Sequence, residues 1–341
     1  MSASPPDGED LSIVLEEHFL PPSVPEPKNE RGILHSLHDV EDRRLEMMDA
    51  CGIERMVLSI RAPGPQGVQD PAEASRAARE TNDYLAGVIS RHPTRYAGFA
   101  SIALHDADGG VGELQRCVRE LGFVGAMING YTNGPEGSAI YGDAPGALPF
   151  WEAADDLGVP VYLHPRRPLP AQVAAFGGYP ELCDAPSTWA FATETALHSL
   201  RLILSGLFDR LPRLRIILGH MGEMLPVALW RFDNRIQIEC PKRLARSVTE
   251  YFLENFLITT SGVLDDLVLD FVVKKLGIDR VLFSVDYPFE DAATAIEWLR
   301  GTSVLDEDQR RRIARLNALD VLWNTPARVS GDGQAAAAGL A

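Results

Sequence analysis

The sequence has little cysteine and no long apolar run, and both shortages exclude classes of protein. The four cysteines among 341 residues are scattered, and none forms a CxxC pair: Cys51, Cys117, Cys183 and Cys240. This spacing predicts buried, reduced thiols and argues against a disulfide framework. No apolar stretch reaches the ~18 residues of a membrane helix. The first ten residues lack the basic and apolar parts of a signal peptide, so the predicted location is the cytoplasm.

Basic residues are scarce relative to acidic ones. The chain carries 32 Lys and Arg against 48 Asp and Glu, a formal net charge of −16. Nucleic acids and anionic membranes attract basic surfaces, so this balance argues against both as partners. The apolar fraction of 45% and a mean hydropathy of −0.07 indicate a globular protein with a substantial core.

Eight apolar runs that suit buried strands alternate with amphipathic segments. The strand-like runs lie at about 11–16, 54–60, 96–102, 123–129, 159–163, 214–218, 256–260 and 279–284. The helix-like segments include 40–51, 71–92, 111–121, 147–158, 190–209, 265–276 and 291–300. Such alternation predicts parallel βα units, and eight units close a (β/α)8 TIM barrel. A doubly wound open sheet is the alternative, although no GxGxxG follows the first predicted strand.

The predicted organisation is a single barrel domain over residues 11–329, in which residues 301–328 form a C-terminal helical extension. Residues 1–10 and the tail 330–341 are rich in small and polar residues, which predicts disorder. Two long connections, at about 19–39 and 130–148, follow predicted strands. They would lie on the face of the barrel that carries an active site.

Ionisable side chains end or follow four of the predicted strands. Glu16 ends the first strand and His18 follows it, and residues i and i+2 of an extended segment share a face. His164 follows the fifth strand, His220 the sixth and Asp286 the eighth. For one such residue the alternative is a hydrogen-bonded core histidine or a solvated strand end. In a parallel barrel the carboxyl ends of all strands meet at one mouth, so five such residues at strand ends indicate a functional site there.

The chemistry of these groups predicts a metal centre. Glu16, His18, His164 and Asp286 offer two nitrogens and two carboxylate oxygens, which suit Mn²⁺ or Zn²⁺. His220 would orient a metal-bound water or shuttle a proton. Glu223 could fix the tautomer of His220; its alternative is a solvated glutamate in the first turn of a helix.

Several motifs occur in the order seen in one family. They are LEEHF at 15–19, GFVGAMING at 122–130, YLHPR at 162–166, ILGHMGE at 217–223, WRFDNR at 230–235, ITTSG at 258–262 and LFSVDYPFE at 282–290. Over roughly residues 11–325 the chain resembles the metal-dependent, non-oxidative aromatic acid decarboxylases of the amidohydrolase superfamily. These include γ-resorcylate, 2,3-dihydroxybenzoate, salicylate and 5-carboxyvanillate decarboxylases, relatives of aminocarboxymuconate semialdehyde decarboxylase. The resemblance implies a (β/α)8 barrel, one Mn²⁺ or Zn²⁺ per chain, no organic cofactor and a homodimer or homotetramer.

The resemblance also implies roles for individual residues. It makes the same four residues the metal ligands: Glu16, His18, His164 and Asp286. Glu16 takes the place of the first histidine in the HxH pair of typical amidohydrolases, a departure usual among the hydroxybenzoate decarboxylases. His220 and Glu223 match a pair beside the ligands, and Arg231 matches an arginine near the substrate carboxylate.

The implied reaction is a reversible decarboxylation. An ortho-hydroxybenzoate would chelate the metal through its phenolic and carboxylate oxygens. A proton would reach the ring carbon through Asp286, and loss of CO₂ would restore aromaticity. A metal-dependent hydrolase of a lactone, amide or ring-opened acid is the alternative, and a non-catalytic barrel is the third hypothesis. Glu16 and the arginines of WRFDNR favour the decarboxylase, and the complete ligand set argues against the third.

The candidate substrate contacts are mostly aromatic, as expected of a pocket for an aromatic acid. The candidate wall residues are Phe289, Trp189, Phe191, Tyr131 and Tyr287, and for each the alternative is ordinary core packing. Asn129 could hydrogen-bond a substrate hydroxyl. Arg61 and Arg167 stand where the family more often has an uncharged residue and an asparagine, and either could contact an anion. For Arg167 we favour a surface ion pair.

Overall fold

The structure is a computed structural model that describes residues 11–24, 34–174, 177, 179–183, 186–240 and 244–324. The predicted disordered ends, 1–10 and 330–341, lie outside these ranges. So does much of the first long connection, at 25–33.

The described chain forms the predicted barrel. Its strands are β1 (Ser12–Phe19), β2 (Ile53–Ile60), β3 (Tyr96–Ser101), β4 (Gly125–Asn129), β5 (Thr132–Asn133), β6 (Ala139–Ile140), β7 (Val161–His164), β8 (Ile216–Leu218), β9 (Phe256–Thr259) and β10 (Val281–Leu282). Eight of them form one parallel sheet in the order β1-β2-β3-β4-β7-β8-β9-β10. β5 and β6 form a separate antiparallel pair in the second long connection. The barrel prediction is confirmed, and the doubly wound alternative is wrong.

Side chains and backbone close the seam between the last strand and the first. The Ser284 hydroxyl accepts hydrogen bonds from the backbone N–H groups of Leu15 and Glu16, at 2.9 and 3.1 Å. Two residues further along β1, the N–H of His18 donates to the carbonyl of Tyr287 at 2.7 Å. The seam therefore joins the ends of the chain that carry the first and last predicted metal ligands.

Helices surround the barrel between successive strands. They are α1 (Leu34–His38), α2 (Arg43–Cys51), α3 (Pro71–Arg91), α4 (Ala107–Arg119), α5 (Leu148–Leu157), α6 (Pro170–Ala174), α7 (Pro180–Cys183), α8 (Ala190–Leu204), α9 (Leu207–Arg210), α10 (His220–Glu223), α11 (Leu225–Glu239), α12 (Val248–Asn255), α13 (Asp266–Leu276), α14 (Ala292–Gly301), α15 (Glu307–Arg311) and α16 (Asn317–Leu322). The predicted helix at 190–209 ends early, because Gly206 has a left-handed φ of +79° between α8 and α9. Our prediction omitted α11 and α12, which both lie between β8 and β9.

The core has two parts that follow the alternation of side chains along each strand. Ile13, Leu15, Phe99 and Tyr162 lie in the cluster that fills the barrel, whereas Val14 packs in the larger cluster beneath the helices. The filled interior leaves the carboxyl ends of the strands as the place where polar groups can meet.

The predictions about membrane helices and about the cysteines have different outcomes. No helix in the described ranges has the length and apolar content to cross a membrane. Cys51 and Cys117 are free and buried as predicted. The prediction is wrong for Cys240, which is exposed because it follows the last turn of α11 at the surface. The side chain of Cys183 lies outside the described residues.

Candidate metal and active site

Four predicted ligands meet at the mouth of the barrel. Glu16, His18, His164 and Asp286 each offer one ligand atom, and these atoms lie within 4.8 Å of one another. His18 Nε2 is 3.3 Å from Asp286 Oδ1, and His164 Nε2 is 3.4 Å from Glu16 Oε1. The side chains of Glu16 and His18 are fully buried. The geometry thus brings together the whole set that the sequence indicated.

An irregularity in β1 turns Glu16 and His18 into the mouth. Ile13 and Leu15 face the barrel interior, so strict alternation would send Glu16 to the opposite side. The register between β1 and β2 shifts between Val14 and Glu17. Such a bulge adds one residue and reverses the facing of the side chains that follow. β1 therefore packs Leu15 into the barrel core and also directs the next side chain, Glu16, into the metal site.

Unpartnered atoms at the centre fit a divalent cation. Among the described residues, Glu16 Oε1, His18 Nε2 and Asp286 Oδ1 are buried without a hydrogen-bond partner. Buried polar atoms are normally satisfied, so three at one point require a ligand. Burial, together with the neighbouring His18, holds the pKa of His164 well below its ordinary value. His164 is therefore neutral, the form that binds a metal, and two carboxylates with two imidazoles suit Mn²⁺ or Zn²⁺.

Two neighbouring hydroxyl groups hold the Glu16 carboxylate. The Tyr162 hydroxyl donates to Glu16 Oε2, and the Thr259 hydroxyl lies 3.4 Å from the same oxygen. Burial raises the pKa of Glu16, which is fully enclosed. Gly219 leaves room for this carboxylate, because a Cβ at that position would lie 2.6 Å from Oε2.

Glu17 has a role that our sequence reasoning missed. Glu17 lies between the two ligands that β1 provides, Glu16 and His18. It is fully buried, and its carboxylate accepts hydrogen bonds from the N–H groups of Val285 and Tyr287 at 3.1 and 3.0 Å. These two residues flank Asp286, whose φ is +79°. Glu17 thereby holds the segment in which Asp286 takes a left-handed conformation, and no short spacing indicates a contact across 268 residues.

His220 and Glu223 form the predicted pair beside the ligands. His220 Nδ1 lies 2.8 Å from Glu223 Oε1, and His220 Nε2 lies 3.5 Å from Asp286 Oδ2. Burial alone would lower the pKa of His220, but the carboxylates of Glu223, Glu16 and Asp286 raise it well above its ordinary value. Glu223 is 1% exposed, so the solvated alternative is wrong. It lies in the tight turn of α10, where His220 and Glu223 both have positive φ, and not in a regular helix.

Some predicted substrate contacts lie near this centre. The rings of Phe289 and His18 meet edge to face, with centroids 5.6 Å apart. Asn129 is buried and pairs in register with His164, and its Oδ1 has no partner among the described residues. The N–H of Arg61 donates to the carbonyl of Phe19, where β1 ends. Contact of these three residues with a substrate stays a prediction.

The other candidate contacts differ in how exposed they are. Trp189 is 45% exposed at the start of α8, and Phe191 is half-buried two residues later. Arg231 is exposed on α11, and Arg167 is exposed after β7. The Tyr287 ring packs against the guanidinium of Arg44, with 4.8 Å between Cζ and the ring centroid. The substrate roles of Trp189, Phe191 and Arg231 also stay predictions.

Comparisons with known proteins agree with this geometry. A family model described as amidohydrolase matches residues 18–322. The chain is 45% identical to the gamma-resorcylate decarboxylase of Rhizobium radiobacter over 320 residues, which cover 90% of this chain and 96% of that protein. It is similar to the crystal structure of a dihydroxybenzoic acid decarboxylase from Polaromonas sp. JS666 with bound manganese and the inhibitor 2-nitroresorcinol. The TM-score is 0.86 at 42% identity, and the match covers 92% of this chain and 96% of that one. A 2,6-dihydroxybenzoate decarboxylase complexed with 2,6-dihydroxybenzoate gives a TM-score of 0.86 at 44% identity, with 92% and 99% covered.

Proposed function

This chain belongs to the amidohydrolase family, and from that premise we propose that it releases CO₂ from 2,6-dihydroxybenzoate or a closely related ortho-hydroxybenzoate. It is a metal-dependent carboxy-lyase, since relatives 42–45% identical over most of the chain are decarboxylases and a similar structure holds manganese. The observation that carries the proposal is the convergence of Glu16, His18, His164 and Asp286 at the mouth. These findings favour the decarboxylase over the hydrolase alternative.

The four ligands would hold one divalent cation per chain. Such a cation, when bound, supplies a Lewis acid and a fixed positive charge for the carboxylate and phenolic oxygens of the substrate. The Asp286 carboxylate directs Oδ1 toward His18 and Oδ2 toward His220. This arrangement excludes most water, because Asp286 is 15% exposed and His18 is fully buried.

The protein residues then provide the proton. The raised pKa of His220 keeps its imidazole protonated near neutral pH, and its Nε2 faces Asp286 Oδ2. Asp286 receives a proton from His220 and transfers it to the ring carbon that carries the carboxylate. The bond between that carbon and the carboxylate breaks, CO₂ leaves, and the electron pair returns to the ring. Glu223 holds His220 Nδ1 and thereby fixes which nitrogen faces Asp286.

The test pairs metal content with CO₂ release from 2,6-dihydroxybenzoate, 2,3-dihydroxybenzoate, salicylate, orsellinate and 5-carboxyvanillate. Wild-type protein should hold one manganese per chain and release CO₂ from 2,6-dihydroxybenzoate. Asp286→Asn should lose both the metal and CO₂ release. His220→Asn should keep the metal and slow turnover by about 10²–10⁴-fold, as for a lost proton-transfer group. The exposed Asp308→Asn is the control.

Either of two outcomes would contradict the proposal. Protein that stays metal-free after reconstitution would exclude the mechanism. Metal-loaded protein that releases no CO₂ from any of these acids, but opens a lactone, would identify the hydrolase instead.

We also propose a homodimer or homotetramer in the cytoplasm. Support for assembly comes from the apolar side chains that α11 exposes, Val227, Trp230 and Ile238, which are 74%, 71% and 61% exposed. Support for the cytoplasm comes from the free thiols of Cys51, Cys117 and Cys240. Sedimentation velocity tests the assembly, and a monomer at micromolar concentration would contradict it.

A further inference from the structure

A buried arginine beside the metal site ties together three connections at the mouth. Arg166 follows β7 and is 8% exposed. Its Nη1 donates to the carbonyls of Gln66 and Tyr131, at 3.2 and 2.5 Å, and its Nη2 donates to Asn133 Oδ1 at 3.1 Å. Its Cζ also lies 4.0 Å from the centroid of the Tyr131 ring. Arg166 thus joins its own strand end to the turns after β2 and β4.

These turns form the wall next to a metal ligand. Gln66 Oε1 accepts from the N–H of Asn129 at 3.4 Å, and Gln66 Nε2 donates to the carbonyl of Ile102 at 2.5 Å. Asn129 is the register partner of His164. A displacement of Arg166 would therefore shift Gln66 and with it Asn129, and no metal ligand would have to move.

A buried carboxylate, that of Glu194, lies near Arg166 on the side of Gly130. Glu194 of α8 is 1% exposed, and the groups that stabilise the charge of its carboxylate are the Arg166 guanidinium and the Tyr141 hydroxyl. A Cβ built on Gly130 would lie 2.5 Å from Arg166 Cγ and 3.1 Å from Glu194 Oε2, so both side chains converge on that glycine. An isolated buried carboxylate is costly, and the Arg166 guanidinium is the cation placed to compensate it.

We propose that Glu194 is a positioning residue that holds Arg166, and through Arg166 the wall of the substrate pocket at Asn129. The inference rests on the proposed decarboxylase function. Among the described residues no hydrogen bond or ion pair joins Glu194 to His220 or Asp286, and of the groups that shift the pKa of Glu194, Glu223 has the smallest effect. Loss of its charge should therefore weaken substrate binding and leave the chemical step nearly unchanged.

The groups that face Glu194 predict when its charge is present. Burial raises the pKa of Glu194 to about 7, against the opposing effects of Arg166 and Tyr141, and Glu223 raises it further. On the same helix, burial lowers the pKa of His198 to about 3, so His198 stays neutral above that pH. Glu194 therefore loses its charge as the pH falls through about 7.

The experiment measures KM and kcat of manganese-loaded enzyme between pH 5.5 and 8.5. Wild-type KM should rise as the pH falls through about 7. Glu194→Gln should show the raised KM at every pH, about tenfold above wild type at pH 8, with kcat nearly unchanged. Glu194→Asp, which keeps the charge, should restore part of the pH dependence. Glu113→Gln removes a buried carboxylate paired with Arg116 on α4, and should keep the wild-type profile.

A second measurement needs no turnover and separates this inference from the proposed function. Glu194→Gln and Arg166→Met are combined, and the free energies of unfolding of the four proteins form a double-mutant cycle. Non-additive effects are expected because the two groups act on one another. Additive effects would overturn the inference even in protein that releases no CO₂. An unchanged KM profile in Glu194→Gln that does release CO₂ would overturn it as well.

Discussion

At the scale of single residues, Gly219 gives the Glu16 carboxylate the space in which it can bind a cation. A Cβ at Gly219 would lie 2.6 Å from Oε2 and 2.8 Å from Oε1 of Glu16, closer than real Cβ contacts. The φ of Gly219 is −72°, which alanine adopts without strain. An alanine here would thus act through steric contact alone.

We expect Gly219→Ala to displace Glu16 and lower the affinity for manganese by about 10–100-fold, as when a group that orients a ligand is changed. Calorimetric titration of the apoprotein with Mn²⁺ measures the effect. Gly146→Ala is the matched control, since a Cβ there meets no atom within 4 Å. An unchanged manganese affinity in Gly219→Ala would show that Glu16 is not the ligand.

Residue types predicted the ligands but not the residues that hold them in place. Glu16, His164 and Asp286 were recognisable because each interrupts or follows an apolar run. Glu17 and Glu194 are equally buried, yet Glu17 bonds a backbone segment 268 residues away and Glu194 lies near Arg166, which follows another strand. Such contacts depend on the closed barrel, so no local pattern in the sequence could indicate them.

At the scale of elements, apolar runs predicted where the strands begin and, except for the first strand, where they end. Each of the eight barrel strands begins within two residues of the predicted position. Strands of a parallel barrel are buried on both faces, so they appear as continuous apolar runs. We ended the first strand at Glu16, the first charged residue, but β1 continues to Phe19 because Glu16, Glu17 and His18 are buried.

The closure of the barrel offers a test at this scale. The Ser284 hydroxyl accepts from two consecutive N–H groups, those of Leu15 and Glu16, within the bulge in β1. Ser284→Ala would leave both groups buried without this acceptor. Because an unsatisfied buried donor costs about 1–3 kcal/mol, we expect the free energy of unfolding to fall by about 2 kcal/mol or more.

Urea denaturation of the metal-free proteins measures this change without a contribution from the cation. The exposed Ser303→Ala should change stability by less than about 0.5 kcal/mol. If Ser284→Ala is as stable as Ser303→Ala, the hydroxyl does not hold the seam and the bulge in β1 must be maintained by other contacts.

At the scale of the whole molecule, the metal site fastens together the first, fifth and last strands of the barrel. Glu16 and His18 come from β1, His164 from β7 and Asp286 from the segment after β10. The unfolded chain cannot gather ligands that are 270 residues apart in sequence (residues 16 and 286). A cation would therefore bind the folded state almost exclusively and stabilise it by mass action. It would also offset the repulsion between the carboxylates of Glu16 and Asp286; burial first, and this repulsion in addition, raise the pKa of Glu16.

Removal of metal with a chelator should accordingly lower the melting temperature, and added Mn²⁺ should restore it in a concentration-dependent way. At a free concentration 100 times the Kd, the stabilisation is about 2.7 kcal/mol. Thermal unfolding at a series of manganese concentrations measures this, with Asp286→Asn expected to give a nearly flat curve. A melting temperature of the wild-type protein that does not respond to manganese would mean that the four side chains meet without forming a metal site. The unpartnered atoms of Glu16, His18 and Asp286 would then need another explanation.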